Sequence, residues 1–547
     1  MTGVESFGDS AVLVDVPSAD PVELVSALSD LDGVEEVLPG AVICVRFAPG
    51  RVRDLETTIA ELVSAFEEEG RGREEERAGR DAFARPRQVE LPVVFDGPDL
   101  EAVSRLTGSS TRQVIESIIG ARLRVAYLGF APGFAYVTGL PGPLATLERR
   151  ATPRTSVPAG SVGIAGGYLG IYPQASPGGW NLVGRTDAQL FDPGAPPYST
   201  LQPGDILTLV ESEELGPAHA ASTIRARPRT QSRRRVEVIE PGVLTTLQDA
   251  GRIGVAHLGV PRAGPVDRDS MRLANLTAGN PENCGVLETT VRGPTLRISD
   301  DAHAVVVGAA WEVNGRAMVP GVVAEIPSQG VLTIGASIEL RGYVAVSGGF
   351  RGPELFGSCS SDLLCGLGPG PLAVGDELDI GEPGQPRGYT APLSRSRNVV
   401  RVTPGPGPVD DELLSHLAEV AFSVSPDSNR IGVRLVGSRP FRSAPNSGPV
   451  DGAPARGSHG MVPGAVQIPP SGEPIVLLCD HATMGGYPVV AVVVSADLGV
   501  IAQRRPGDLV KFELVDLDQA LAALDALDRQ LTNAPTGIYP AGPVTWR

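Results

Sequence analysis

Glycine and proline constrain the fold of this chain more than any other feature. The 547 residues include 67 glycines and 50 prolines, about a fifth of the total. They interrupt the apolar runs every few residues. Long helices do not tolerate such interruptions, whereas short strands joined by tight turns require them. A chain of this length is also too long for a single hydrophobic core. We therefore expect a mainly β protein of three or four domains.

Changes in local pattern indicate where the domains meet. Residues 1–85 alternate strand and helix signals and predict a small α+β domain. Residues 213–235 are rich in arginine and poor in apolar residues, which is typical of a linker. The rest of the chain is expected to form β units over 86–212, 236–395 and 396–515, followed by a C-terminal helix and tail over 516–547.

Similar turn strings suggest that the β units are related. P-G-D-I-L at 203–207, V-G-D-E-L at 374–378 and P-G-D-L-V at 506–510 each introduce a run typical of a closing strand. VPAGSVGI at 157–164 likewise resembles MVPGAVQI at 461–468. The repetition predicts three related β-barrels, an architecture without free sheet edges. Chance similarity among glycine-rich turns is the alternative.

Charge and cysteine content exclude several classes of protein. The formal net charge of −18 argues against nucleic acid or an anionic membrane as the main partner. The N-terminal segment has neither the basic nor the apolar region of a secretory signal, and no apolar run is long enough to span a bilayer. Five scattered cysteines are typical of reduced thiols. We expect a cytoplasmic protein, and a homo-oligomer stays open.

The scarcity of lysine excludes further chemistries. Lys511 is the only lysine, and the other 45 basic residues are arginines. A lysine-containing phosphate loop, a Schiff-base lysine and a biotinyl lysine in a carrier segment all need a lysine elsewhere in the chain. We therefore expect no biotin on this chain. Any phosphate group must be bound by arginines, backbone N–H groups or a metal ion.

The segment 458–490 combines several features of a functional site. A short apolar run, Ile475 to Cys479, predicts a buried strand that ends at Asp480 and His481. The following Gly485 and Gly486 allow a close approach of the backbone to another group. A strand end followed by a Gly-Gly turn is a good place for a functional site. It is also common in ordinary turns, and the local pattern alone favours an ordinary turn.

Longer strings resemble two known families. LGFAPGFAYVTGL, PRTSVPAGSVGIAGGYLGIYP and SPGGWNLVGRT resemble the KipI family, also called the B subunit of 5-oxoprolinase or allophanate hydrolase subunit 1, and the similarity covers roughly 1–212. TTLQDAGRIG, GVPRAGPVDRDSMRLAN and GAVQIPPSGEPIVLL are similar to the KipA family, the C subunit of 5-oxoprolinase or allophanate hydrolase subunit 2, over about 236–515. The resemblance implies a cyclophilin-like β-barrel in both halves.

The resemblance also implies an activity and its partners. The family reaction is an ATP-dependent 5-oxoprolinase reaction, in which a separate A subunit assists and the lactam of 5-oxo-L-proline is opened to glutamate. The same folds form the carboxyltransferase part of urea carboxylase, which would need a biotin carrier on another chain. A third interpretation is a regulatory protein without ATP turnover, as the kinase-inhibitor name of the family suggests.

Candidate residues follow from the matched strings and from the chemistry. A lactam is resonance-stabilised, so phosphorylation of its oxygen by ATP, with Mg²⁺, would make the carbon electrophilic; such transfer needs cations around the phosphoryl oxygens. The catalytic candidates are His459 as proton relay, Asp480 as base or magnesium ligand, and Arg430 as phosphate clamp. No protein metal cluster is recognisable. The binding candidates are guanidinium clamps, backbone anion donors, a stacking face and hydrogen-bonding groups, namely Arg154, Arg262, Arg434, Gly160, Ser161, Gly178, Gly179, Trp180, Gln467 and Tyr487.

Structural roles remain the alternative for each of these residues. Trp180 fits a hydrophobic core as well as a stacking face. The chain departs from the family patterns at several places. In one of them, the KipA pattern D-x-Q-T-T-G-G-Y-P reads Asp480-His481-Ala482-Thr483-Met484 before Gly485, without the usual glutamine. This difference bears on the substrate more than on the fold.

Overall fold

Strands dominate the architecture, as the glycine and proline content predicted. The computed structural model describes residues 3–15, 21–76, 86–150, 152–216, 234–391, 393, 395, 398–407, 409–441, 458–533 and 535–536. The predicted linker falls largely on 217–233, which lies outside the described residues. In the described part of the chain, no helix is both long and apolar enough to cross a membrane.

The first unit is a four-stranded antiparallel sheet, in the order β1-β2-β4-β3, with two helices. Val52, Leu55, Ile59 and Val63 lie on one face of the second helix and are buried in the core of this unit. Apolar residues at helical spacing therefore form the buried face of this helix. The elements are β1 Val4–Ser6, β2 Ala11–Asp15, α1 Pro21–Ser29, β3 Val34–Leu38, β4 Val42–Phe47 and α2 Val52–Glu76.

The second unit is a seven-stranded barrel-like sheet in the order β12-β9-β10-β7-β6-β13-β5. Its edges meet through a β-bridge in which Val94 and Arg185 exchange two backbone hydrogen bonds of 2.9 Å. Its elements are β5 Gln88–Val93, α3 Leu100–Thr107, α4 Thr111–Ile119, β6 Leu123–Leu128, β7 Ala135–Thr138, β8 Arg154–Val157, β9 Ser161–Ala165, β10 Tyr168–Ile171, β11 Ser176–Gly178, β12 Asn181–Arg185 and β13 Ile206–Glu211.

The third unit is an eleven-stranded sheet of a different topology. The 16-residue strand β22 pairs with β17 and β19 along its first part and with β16 and β18 along its last part. One long strand thus belongs to two layers of the unit, one formed with β17 and β19 and the other with β16 and β18. The elements are β14 Arg235–Glu240, β15 Leu244–Gln248, α5 Arg268–Ala278, β16 Val286–Arg292, β17 Thr295–Ile298, β18 Ala302–Val307, β19 Ala309–Val313, β20 Arg316–Met318, β21 Ala324–Ile326, β22 Val331–Val346, β23 Phe350–Arg351, β24 Glu377–Ile380 and β25 Tyr389–Thr390.

The fourth unit is a closed barrel, followed by a C-terminal helix. Its cyclic order is β26-β33-β30-β31-β28-β27-β34. The elements are β26 Val399–Pro404, α6 Asp411–Glu419, β27 Phe422–Val424, β28 Gly432–Gly437, β29 His459–Gly460, β30 Ala465–Gln467, β31 Ile475–Leu477, β32 Met484–Gly485, β33 Val489–Val493, α7 Leu498–Ala502, β34 Leu509–Leu514, α8 Leu517–Asn533 and β35 Pro535–Thr536.

The second and fourth units have the same topology, strand for strand. Strands β9 and β30, which carry the similar strings at 157–164 and 461–468, occupy the same place in the two orders. In both barrels the first strand pairs in parallel with the closing strand, β5 with β13 and β26 with β34. The predicted barrels in both halves are confirmed. The middle unit departs from the predicted third barrel, because β22 connects two layers instead of closing one.

The two halves of the chain pack across each other. The first unit lies against the fourth: Asp9 accepts hydrogen bonds from the backbone N–H and the hydroxyl of Ser495, at 2.9 and 2.6 Å. Leu258 and Leu367 of the third unit are buried in the core of the second. Each half therefore completes the packing of the other, and the two barrels are brought together.

Candidate functional site

A cavity of about 680 Å³ lies between the two barrels, and both halves of the chain line it. We call it the inter-barrel pocket. The first barrel contributes residues near β7, β10 and β11, and the second contributes residues of β28 to β33 and their connecting loops. Its volume is typical of a site for a small organic ligand. The lining residues used below are Phe130, Phe134, Tyr136, Glu148, Arg149, Arg150, Tyr172, Gly178, Gly179, Trp180, Arg434, His459, Gln467, Ala482, Met484, Gly486 and Tyr487.

The first barrel presents an aromatic wall to the pocket. The Phe134 ring lies edge-on to Tyr136, Tyr172 and Trp180, with ring centroids 5.1, 5.2 and 5.4 Å apart. Gly170 makes this packing possible, because a Cβ there would lie 2.6 Å from Phe134 and 2.7 Å from Trp180. The wall offers flat apolar faces to a ligand.

The phenol groups of this wall are neutral. Burial raises the pKa of Tyr136 to about 12, and burial also raises the pKa of Tyr172. Both hydroxyls therefore keep their protons at neutral pH and can donate hydrogen bonds.

Arg149 provides a positive charge at the pocket. Its Nη2 donates a 2.8 Å hydrogen bond to Ser458 Oγ of the second half. Its guanidinium group also lies against Gly486, where a Cβ would be 2.3 Å from Nη1 and 2.4 Å from Nη2. A side chain at position 486 would therefore displace it. Arg149 forms no ion pair with a carboxylate of any described residue.

The neighbouring arginines Arg150 and Arg154 share one acid. Asp99, almost fully buried, accepts hydrogen bonds from Arg150 Nη1 at 2.6 Å and Arg154 Nη2 at 2.8 Å. It also accepts one from the backbone N–H of Leu182 at 2.7 Å. Arg154, a predicted phosphate clamp, is thus part of a structural ion cluster.

The second barrel supplies the polar groups of the opposite wall. His459 lies on β29, which pairs with β32, and Gln467 ends β30. Both side chains are largely buried, and Gln467 Nε2 contacts Met461 Sδ at 3.1 Å. Ala482 and Met484 line the pocket at the two positions where the KipA pattern has glutamine and threonine, so this part of the wall is apolar.

The structure brings together about half of the predicted site residues. Those that line the inter-barrel pocket are Gly178, Gly179, Trp180, Arg434, His459, Gln467 and Tyr487. Those that do not are Arg154, Gly160, Ser161, Arg262, Arg430 and Asp480. The Gly-Gly turn of the segment 458–490 does line the pocket. The sequence analysis did not predict four other lining residues, Arg149, Phe134, Tyr136 and Tyr172.

Arg430 and Asp480 form a buried ion cluster outside the pocket. Arg430 Nε and Nη2 donate to the two carboxylate oxygens of Asp480, at 2.9 and 3.0 Å, and Nη1 donates to Glu288. Nη2 also donates to the Gly264 carbonyl at 2.6 Å. Neither side chain of the pair is more than 3% exposed. Their placement fits a structural role, joining the third and fourth units, rather than the predicted catalytic one.

The remaining predicted residues are also occupied elsewhere. Arg262 Nη1 forms a 2.7 Å ion pair with Glu35 of the first unit. The backbone N–H of Gly160 donates to Tyr172 O at 2.7 Å, and that of Ser161 donates to Pro158 O at 3.3 Å. These two groups cannot serve as an anion nest, which needs N–H groups that point at the ligand. Among the described residues, no group of three or more histidines, cysteines or acids is arranged to hold a metal ion.

Two family models match the chain. The carboxyltransferase domain, subdomain C and D, matches residues 2–201, and the carboxyltransferase domain, subdomain A and B, matches residues 258–514. The crystal structure of TTHA0988 is similar along most of the chain, with a TM-score of 0.78 and 30% identity, covering 92% of this chain and 99% of that one. Fold and pocket thus define a carboxyltransferase-domain protein with both subdomain pairs in one polypeptide.

Relatives match the two halves separately. The C subunit of 5-oxoprolinase from Escherichia coli K12 is 34% identical over 300 residues, which cover 53% of this chain and 94% of that protein. The B subunit of 5-oxoprolinase from Escherichia coli O157:H7 is 47% identical over 131 residues, 23% of this chain and 60% of that protein. Urea amidolyase of Lachancea kluyveri is 30% identical over 329 residues, 55% of this chain and 18% of that protein. The chain belongs to the KipI–KipA family, as a fusion of a KipI-like half and a KipA-like half.

Proposed function

We propose that this chain is the fused B and C component of an ATP-dependent 5-oxoprolinase of the cytoplasm, which acts with a separate A subunit. The relatives of the two halves, named as the B and C subunits of 5-oxoprolinase, support this function. The observation that carries it is the inter-barrel pocket, which is lined by both halves and combines a flat aromatic wall with hydrogen-bonding groups.

The reaction divides into an activation and a hydrolysis. ATP, with Mg²⁺, supplies the γ-phosphoryl group to the lactam oxygen and leaves as ADP. Water then attacks the activated carbon, and the ring C–N bond breaks with the nitrogen taking up a proton, which leaves γ-glutamyl phosphate. A second water hydrolyses this acyl phosphate and releases phosphate and L-glutamate. Activation is needed because the amide resonance makes the lactam a poor electrophile.

The residues of this chain would bind and orient the lactam. The ring packs against Trp180 and Phe134, and Gln467 and Tyr487 donate hydrogen bonds to the lactam carbonyl. His459 is placed to hold or move a proton at the ring nitrogen. Such positioning alone supplies a large share of the acceleration of a phosphoryl transfer.

The test is ADP release that depends on 5-oxoproline. The purified chain, the A subunit and their mixture are each assayed with ATP and Mg²⁺, with and without 5-oxoproline. We expect turnover only in the mixture and only with 5-oxoproline. Stimulation by urea and bicarbonate instead contradicts the proposal, and an absence of turnover in every mixture favours the regulatory interpretation.

A carboxyltransferase component of the urea carboxylase type is the second candidate. The names of both family models and the similarity to a urea amidolyase favour it. Since Lys511 is the only lysine and lies on β34 of the barrel, a biotin carrier on another chain would be required. The same assay with urea, bicarbonate and a biotin carrier separates the two candidates.

A further inference from the structure

The charged residues of the inter-barrel pocket are mostly basic. Among the described residues, Arg149, Arg150 and Arg434 line it together with a single acid, Glu148, although the whole chain carries a net charge of −18. Arg150 forms an ion pair with Asp99. Arg149 and Arg434 form no ion pair with any described carboxylate. A concave site with unpaired guanidinium groups attracts an anion, since the low-dielectric walls concentrate the positive potential.

The two unpaired arginines that line the pocket come from different barrels. Arg149 comes from the first barrel, and Arg434 lies on β28 of the second. Both charges act on Tyr487: burial raises the pKa of its phenol, and the charges of Arg149 and Arg434 oppose that rise. The Tyr487 hydroxyl therefore lies within the field of both guanidinium groups.

Arg149 is held in place before any ligand binds. Ser458 accepts a hydrogen bond from its Nη2, and the bare backbone of Gly486 leaves the space that its guanidinium group occupies. A cation fixed in this way loses little conformational freedom on binding, so its interaction with an anion is retained as affinity.

We infer that Arg149 and Arg434 together bind a carboxylate of the substrate, so that the pocket selects an amide bearing a carboxylate over a neutral amide. This inference rests on the proposed function and names its substrate class. The aromatic wall receives the ring, and the two arginines receive the anionic group. Urea lacks the carboxylate that such a pocket would select.

Calorimetric titration of the full chain tests this with three ring compounds. 5-Oxoproline has both the lactam and the carboxylate, 2-pyrrolidinone has the lactam alone, and cyclopentanecarboxylate has the carboxylate alone. The variants are Arg149→Gln and Arg434→Gln, with Arg112→Gln as control, because Arg112 lies on α4 and pairs with exposed Glu116 and Glu211.

We expect 5-oxoproline to bind at least about 10-fold more tightly than 2-pyrrolidinone. Each pocket variant should weaken the binding of 5-oxoproline by a similar factor, as for loss of a charge-assisted hydrogen bond. Binding of 2-pyrrolidinone should stay the same in all variants. Equal affinities for the two lactams, unchanged by either variant, would overturn the inference and leave the proposed function standing. Cyclopentanecarboxylate binding as tightly as 5-oxoproline, and weakened by both variants, would support the carboxylate site but contradict a lactam substrate. No binding of any compound, by the chain alone or mixed with the A subunit, overturns both.

Discussion

Arg149 Nη2 donates a hydrogen bond to Ser458 Oγ at 2.8 Å, although the two residues are 309 positions apart in the chain. The bond joins the KipI-like half to the KipA-like half at the wall of the inter-barrel pocket. The positively charged side of that pocket therefore depends on the docking of the two barrels. The pocket is complete only when both halves are present.

We first expect the two halves to stay together after the connection between them is cut. A protease site inserted within 217–233 would be cleaved without loss of the contacts between the halves, such as Asp9 with Ser495 and Arg262 with Glu35. Size-exclusion chromatography at micromolar concentration should show one peak containing both fragments. Separate elution of the fragments would show that the interlocked packing is weak.

Gly486→Ala should impair the pocket without unfolding the protein. The new Cβ would lie 2.3 to 2.6 Å from the Arg149 guanidinium group, so Arg149 must move away. We expect about 10-fold weaker 5-oxoproline binding in calorimetry, as for loss of one charge-assisted hydrogen bond. Gly335→Ala is the control, since its nearest neighbour, on β19, is 3.4 Å away. Equal binding by the two variants would contradict the role given to Gly486.

Arg430→Gln should act on stability rather than on ligand affinity. The substitution leaves the carboxylate of Asp480 buried without its ion-pair partner and leaves Glu288 with the longer, 3.9 Å ion-pair contact to Arg341. Such a loss typically costs about 3–5 kcal/mol. We expect a clear fall in the thermal midpoint, measured by calorimetry, and less than a twofold change in 5-oxoproline affinity. Arg112→Gln, an exposed control, should leave the thermal midpoint close to that of the native protein. A normal midpoint combined with lost binding would restore the catalytic hypothesis for Arg430.

Asp362 should make stability fall as the pH rises. Burial, together with the nearby charge of Asp480, raises the pKa of its carboxyl from 3.8 to about 7. Between these values the folded protein binds more protons than the unfolded chain, so this contribution to stability is complete below about pH 4 and is lost as pH rises through about 7. The Asp362→Asn side chain is neutral at every pH. The thermal midpoint of the variant, relative to that of the native protein, should therefore rise from about pH 5 to about pH 8. A difference that does not change with pH would contradict the raised pKa.

Local patterns predicted much of the fold. Ser110 and Gln113, three residues apart as in a capping box, begin α4, with the Ser110 N–H donating to Gln113 Oε1 at 2.9 Å. Asp267 accepts a hydrogen bond from the backbone N–H of Ser270 and caps the helix over Arg268–Ala278. The repeated turn strings introduce β13 and β34, the closing strands of the two barrels. These features succeed because a few neighbouring residues determine them.

The role of each arginine could not be predicted in the same way. Whether a guanidinium group faces a ligand depends on the acid that reaches it, and those acids come from distant positions. Arg262 forms an ion pair with Glu35 of another unit, and Arg430 forms an ion pair with the buried Glu288. The guanidinium group of Arg149 occupies space that Gly486, a residue of the other half of the chain, leaves open. Such pairings are fixed by tertiary packing, and no local pattern encodes them.

A crystal structure of the full chain with 5-oxoproline would test the inter-barrel pocket as the substrate site without any intermediate step. We predict that the lactam ring lies against Trp180 in this pocket, with its carboxylate within hydrogen-bond distance of Arg149 and Arg434. A well-ordered ligand bound elsewhere, with this pocket empty, would contradict that placement.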